Sequence, residues 1–301
     1  VVSSRRAIVA MLVVATLVPL TAPPAAAQDP NWVCGAYDQS AKRGRTPTPD
    51  AGGKTFPLVT IHGITGSDDD FDKTIDKSTI GANPQPPRSL LDAFAGPKTP
   101  GQTLPPGLDH MRVYSFSYTP DSLRWVDNPA VGGRFAATID CLYQRHGVPV
   151  SVVAHSMGGL VTRWVANTTD AAGVPRATKL GKVVTLGTPY EGSVLSAVAN
   201  GVTDAVSLAN PAVLLLNYLC GKHGTETGEG SCGVIPLYSS FRSEAGRNLI
   251  AGSAALGRVA RWPAQVDVSD LAGAQFVPYN LFGSPLNAAV DIGDVVVPTA
   301  S

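Results

Sequence analysis

Residues 148–167 read VPVSVVAHSMGGLVTRWVAN. A short apolar, β-branched run leads to one serine among small residues, and a stretch with helical spacing follows. The first part fits a buried strand and the last ten residues a helix. A tight corner between them lifts Ser156 out of the sheet and points the first amides of the helix at whatever sits above it. The chain passes such a corner only if the residues two before and two after the serine are small. They are Ala154 and Gly158, giving A-x-S-x-G, close to the G-x-S-x-G form of a nucleophile elbow. Serine is also a favoured helix cap, but a cap needs neither the preceding strand nor this spacing.

The rest of the chain supplies a setting for such a corner. FPLVTIHG (56–63), MRVYSFSYT (111–119), KVVTLG (182–187) and QFVPYNLFG (275–283) read as further strands. GGRFAATIDCLYQRHG (132–147) has helical spacing, with Phe135, Ile139 and Leu142 on one side, and a helix is expected near 88–95. Residues 35–55 read as an extended polar arm and 64–110 as a long Pro/Gly-rich connection. Strands alternating with helices predict an α/β fold, a mostly parallel sheet covered on both faces. Ligands of such a sheet lie at the carboxyl ends of its strands, where Ser156 stands.

The N-terminus carries Arg5 and Arg6, then a mostly apolar run from Ala7 to Leu20, then Ala25-Ala26-Ala27. The run is shorter than the roughly 18 residues of a membrane span. The pattern predicts a signal peptide over 1–27 and a mature domain over 28–301, hence a secreted protein without stable membrane insertion. Ser4-Arg5-Arg6 faintly matches a twin-arginine signal. Valine at position 1 fits an alternative start codon and a bacterial source.

With the two leader arginines removed, 21 basic residues stand against 23 acidic ones. That balance gives no reason to expect nucleic acid as a partner. Four cysteines in an exported chain predict two disulfides. Three pairings are possible. Cys220 and Cys232 flank the polar loop GKHGTETGEGS, which favours that pair and leaves Cys34 with Cys141. No C-x-x-C or clustered histidine accompanies them, so neither a metal nor another cofactor is expected. Asp68-Asp69-Asp70 reads as a solvated loop.

At AHSMGG (154–159) the sequence resembles the α/β-hydrolase superfamily, and within it bacterial secreted lipases and esterases. Two further stretches carry the resemblance. IHGITG (61–66) is similar to the turn whose amide binds an oxyanion, which implies Ile64 as one donor and Met157 as the other. VVTLGTPYEGS (183–193) is similar to the L-G-T-P stretch after the next strand, with Tyr190 where histidine is frequent. The family order of serine, acid and histidine implies an acid in DIGDVVVPTAS (291–301): Asp294 first, Asp291 second.

The base is harder to place. His62 belongs to the oxyanion turn, His155 adjoins the serine and points away from it, and His110 and His146 precede strands. His223 would invert the family order. The expectation is therefore a chain that stops short of its catalytic histidine. The implied activity is hydrolysis of carboxylic esters of lipids or other acyl groups, with small-molecule esters as partners. An acyltransferase and an inactive binding protein are the alternatives. Residues 194–262 read as a cap-like insertion, in which AVLLLNYL (212–219) fits either an acyl chain or core packing.

Overall fold

The computed structural model describes residues 29–72, 89–96, 104, 107–193, 196–197, 200 and 240–271, and the backbone of 276–281 and 284–291. The chain divides into Val1–Pro30 and Asn31–Ser301, and every element below belongs to the second unit. The signal-peptide reading over 1–27, the Cys220–Cys232 pair, His223, AVLLLNYL and Asp294 all lie outside the described residues.

Among the described residues seven strands form one sheet: β1 (Trp32–Val33), β2 (Ala36–Asp38), β3 (Phe56–Ile61), β4 (Met111–Phe116), β5 (Val150–His155), β6 (Leu180–Leu186) and β7 (Asp267–Leu271). Their spatial order is β1-β2-β4-β3-β5-β6-β7. From β4 to β7 every pairing is parallel; β1 and β2 add an antiparallel edge. β5 lies midway through the parallel part, between β3 and β6, and is apolar on both faces, as a doubly covered parallel strand must be. Val150, Val152 and Ala154 belong to the larger core, and Val153 packs with Leu58 and Val113 in the smaller one.

Helix α1 (Gln39–Lys42) follows β2, and α2 (Leu90–Ala95) covers the smaller core through Leu91 and Ala95. Helix α3 (Arg134–His146) lays Phe135, Ile139 and Leu142 on the opposite face. It ends where Gly147 turns left-handed at φ 65° and donates to the Tyr143 carbonyl at 2.8 Å. Helix α4 (Met157–Ala166) is buried almost all round. The sheet covers one side, and α5 (Glu244–Asn248), α6 (Ala254–Gly257) and the chain around them add Phe241, Leu249, Leu256 and Val259 to the same core. Burying Leu160, Val161 and Val165 contributes about 2 kcal/mol each before entropy is counted.

Two stretches fold differently from expectation. The arm over 35–55 contains β2 and α1 and is fastened by charge. Asp38 is 1% exposed; it caps α1 at the Ala41 amide and accepts from Arg112 at 2.7 Å. Arg43 bridges Asp72 and Asp92. The strand read at 275–283 is β8 (Phe276–Leu281), paired antiparallel with β9 (Ser284–Asp291) in a sheet of its own. The place beside β6 is taken by β7, whose polar sequence DVSDL gave no hydrophobic alternation to read. Cys34 and Cys141 form the expected disulfide, joining the β1–β2 turn to α3 across 107 residues.

Candidate active site

Parallel register decides what meets at the top of the sheet. Ile61 lies beside Ala154, and Ala154 beside Thr185. The turns that leave β3, β5 and β6 therefore emerge side by side, carrying His62–Gly66, Ser156–Gly159 and Gly187–Ser193.

Ser156 has φ 52° and ψ −126°. For a residue with a side chain this region costs about 1–3 kcal/mol and persists only where neighbours fix it. Two of those neighbours are backbone groups. The Ser156 N–H donates to the Leu186 carbonyl at 2.8 Å, and its own carbonyl accepts from the Gly159 N–H at 3.0 Å. Gly158 is obligatory for a different reason: a Cβ there would stand 2.6 Å from the His62 carbonyl oxygen and 2.7 Å from that of Ile61. The short-residue rule read from A-x-S-x-G thus has a concrete cause at Gly158, the main chain leaving β3. Ser156 is 7% exposed.

The turn after β3 lies directly on the serine. A Cβ on Gly63 would be 2.7 Å from Ser156 Cβ and 3.1 Å from its Oγ. Ile64 follows and is buried, and Thr65 takes a left-handed φ of 59° that closes the turn. Met157, fully buried, is the first residue of α4, and a first-turn amide has no acceptor within its own helix. The structure thus lays the turn that carries Ile64 against Ser156 through Gly63, with Met157 next to the serine in the chain.

The described histidines have other employment. His62 is fully buried; its Nδ1–H donates to the Gly63 carbonyl at 2.8 Å, and its Nε2 accepts from the Tyr118 N–H at 3.1 Å. Its ring stacks on Tyr118 at 4.2 Å, and the Tyr118 hydroxyl returns to the His62 carbonyl at 2.7 Å. Burial, partly offset by the Gly63 carbonyl and by Asp70, holds its pKa below the usual imidazole value. His146 sits between the hydroxyls of Thr55 and Tyr114 at 3.0 and 2.9 Å, and burial lowers its pKa as well. His110 bonds the Thr48 carbonyl at 2.8 Å. His155, the last residue of β5, is exposed. Asp291 closes β9, and Asp294 lies outside the described residues.

A polar cluster beyond the expected residues stands beside the site. Asp270, on β7, accepts hydrogen bonds from Thr185 Oγ1 and, at 2.9 Å, from the Tyr190 hydroxyl. Trp262 donates to that hydroxyl at 3.2 Å, and the Arg163 guanidinium lies 4.6 Å above the Tyr190 ring. Burial pushes the Tyr190 hydroxyl up to about 12. Only Tyr190 was visible in advance, as the departure from the frequent histidine. Asp270 was missed because β7 was missed. Among the described residues no three metal-ligating side chains converge, and no helix is long and apolar enough to cross a membrane.

Residues 133–216 match the family model described as Lecithin:cholesterol acyltransferase. That span holds α3, β5, the Ser156 corner, α4, β6 and L-G-T-P. Among solved structures the chain is similar to the mature form of lipase BlEst2 from Bacillus licheniformis. The two are 20% identical over 79% of this chain and 72% of that one, with a TM-score of 0.42. It is similar to Aspergillus fumigatus lipase B at 15% identity over 46% of this chain and 25% of that one, TM-score 0.30. An esterase E22 mutant gives 14% identity, 71% and 68% coverage and a TM-score of 0.32. No curated protein matches the sequence. The mostly parallel sheet, the strained corner between β5 and α4 and the segment matched within 133–216 are those of an α/β-hydrolase fold.

Proposed function

We propose that the protein is a secreted serine hydrolase of carboxylic esters, acting on lipid or other acyl esters, with Ser156 as nucleophile. The observation that carries this reading is the backbone of Ser156, strained at a strand-to-helix corner with Gly63 laid against its side chain. Strain of this kind at one serine, fixed by hydrogen bonds and close glycines, has no use in packing alone.

In this reading the Ser156 hydroxyl attacks the ester carbonyl, and the charge that gathers on the carbonyl oxygen is met by the amides of Met157 and Ile64. One such donor is worth roughly 3 kcal/mol in the transition state. The base takes the serine proton and gives it to the alcohol as the ester C–O bond breaks, and water then cleaves the acyl-enzyme to the free acid and restores the Ser156 hydroxyl. Asp294 orients the base and stabilises it when charged, with Asp291 as second candidate. The base is assigned to a residue outside the described set, because the bonds of His62, His110 and His146 take those rings elsewhere.

A fluorophosphonate probe tests the reading. It is expected to label Ser156, and Ser156→Ala to abolish both labelling and cleavage of p-nitrophenyl esters, a loss of about 10⁴- to 10⁶-fold. A folded wild-type protein that does not label at Ser156 would favour the inactive binding protein instead. A second reading is acyl transfer to an alcohol. The match of residues 133–216 to a family model described as an acyltransferase favours it. Product analysis with an alcohol acceptor present separates the two, since transfer yields a new ester where hydrolysis yields the acid.

A further inference from the structure

The elbow pattern explains Ala154, Ser156 and Gly158 and leaves two residues over: Gly159, and the threonine of L-G-T-P. The structure puts them against each other. A Cβ on Gly159 would overlap the side chain of Thr188, so the glycine exists to let that side chain in. Thr188 is 4% exposed, and its Oγ1 donates to the carbonyl oxygen of Ser156 at 3.1 Å.

We propose that Thr188 is a positioning residue for the Met157 amide, acting through the peptide that joins Ser156 to Met157. The inference rests on the reading of Ser156 and Met157 given above. A trans peptide is a rigid plane in which the carbonyl and the amide point in opposite directions. Fixing the Ser156 oxygen therefore fixes the direction of the Met157 N–H, the group assigned to the oxyanion.

That oxygen accepts from the Gly159 N–H within the helix and from Thr188 outside it. The segment after β6 also holds the other end of Ser156, through the Leu186 carbonyl and the Ser156 N–H at 2.8 Å. Both backbone groups of the strained residue are thus gripped by one neighbouring stretch, Leu186–Thr188. That stretch is itself anchored. The Tyr190 N–H donates to the Thr188 carbonyl at 2.9 Å, and the Tyr190 side chain is fastened by Asp270, Trp262 and Arg163.

The test compares Thr188→Val, which keeps the shape and removes the donor, with Thr188→Ser, which keeps the donor. Three quantities are read in the full chain: the rate of fluorophosphonate labelling, the affinity for a boronic acid that forms a tetrahedral adduct, and KM for a p-nitrophenyl ester. Thr188→Val should slow labelling and weaken boronate binding about tenfold each, the worth of one buried hydrogen bond, with KM unchanged. Thr188→Ser should restore most of both. A merely structural role would lower the melting temperature and leave the labelling rate of the folded fraction alone. Equal labelling and boronate affinity in Thr188→Val and wild type, or equal losses in the two variants, would overturn the proposal.

If wild type does not label, the nucleophile reading falls, and amide hydrogen exchange decides the strut by itself. Faster exchange of the peptide covering 156–160 in Thr188→Val, but not in Thr188→Ser, sustains it, and unchanged exchange ends it. Should Thr188→Val lose its cooperative melt, Thr188→Cys, a weak donor of similar size, takes its place.

Discussion

Gly63 and Ser156 touch: the position a Cβ would take on Gly63 is 3.1 Å from the serine Oγ. A side chain at 63 would stand against the hydroxyl that the proposed mechanism uses. Gly63→Ala should lower kcat/KM on p-nitrophenyl esters by about 100-fold, the scale of an ångström-sized misplacement. Circular dichroism of the variant should stay that of wild type, because the clash falls on the corner and not on the core. Wild-type turnover in Gly63→Ala would mean that the turn after β3 does not face the reacting carbon.

His62 predicts an acid-side loss of stability. Its Nε2 accepts from the Tyr118 amide, so a proton added there would set donor against donor in a fully buried place. Burial lowers its folded pKa below the unfolded value of about 6.5. A group with a depressed folded pKa contributes its full stability above the unfolded pKa and loses it as pH falls towards the folded one. The melting temperature should therefore drop on acidification from pH 7 towards pH 5, and less steeply in His62→Gln. His146, lowered by burial in the same way, contributes to the same slope. A melting temperature flat across this window would refute the assignment of neutral rings.

The corner was legible in the sequence because its constraint is local. Ala154, Ser156 and Gly158 lie within five residues, and the strand and helix on either side follow from periodicity. β3, β4, β5 and β6 were legible for the same reason, as apolar runs between glycines and prolines. What escaped were partners set by register. Nothing in DVSDL marks β7, since two aspartates and a serine give no apolar face; it is a strand because β6 offers it an edge. Thr188 was quoted inside L-G-T-P, but its contact with Gly159 depends on how far β6 runs past β5, and a single chain carries no sign of that.

The Cys34–Cys141 bridge, half-buried at Cys34 and exposed at Cys141, should be worth more than its place at the surface suggests. It closes a loop of 107 residues containing β2, β3, β4 and most of α3. Loop-closure entropy on that scale puts its loss at about 4.7 kcal/mol, with native strain and residual structure reducing the figure. Cys34→Ser with Cys141→Ser should lower the free energy of unfolding by up to that amount, read from the denaturant midpoint and slope, while leaving labelling of Ser156 intact at low temperature. Peptide mapping without reduction should recover Cys34 joined to Cys141.

Asp270 and Asp294 offer the last prediction, because one chain position invites confusion between them. Asp270 stands near the carboxyl end of β7, the strand beside β6, where an acid would be sought if the sheet alone were consulted. Its Oδ1 is occupied by Thr185 and Tyr190, both reaching it from the face that α4 covers. Those bonds hold β6, β7 and the loop carrying Tyr190 together, and they give the carboxylate a structural task. Asp294 follows the serine in the family order and lies in the stretch that resembles the family's acid loop. Asp270→Asn should therefore lower the melting temperature by several degrees, about 1–2 kcal/mol for one charged hydrogen-bond acceptor, and leave the pH profile of turnover in place. Asp294→Asn should do the reverse, costing about 10⁴-fold in kcat with an unchanged melt, as expected when an orienting carboxylate is lost. Asp291→Asn serves as the neighbouring control and should lose less than tenfold. If Asp270→Asn, folded and labelled with substrate in excess, showed the larger loss of kcat, the acid would belong to β7 and the assignment of Asp294 would fail.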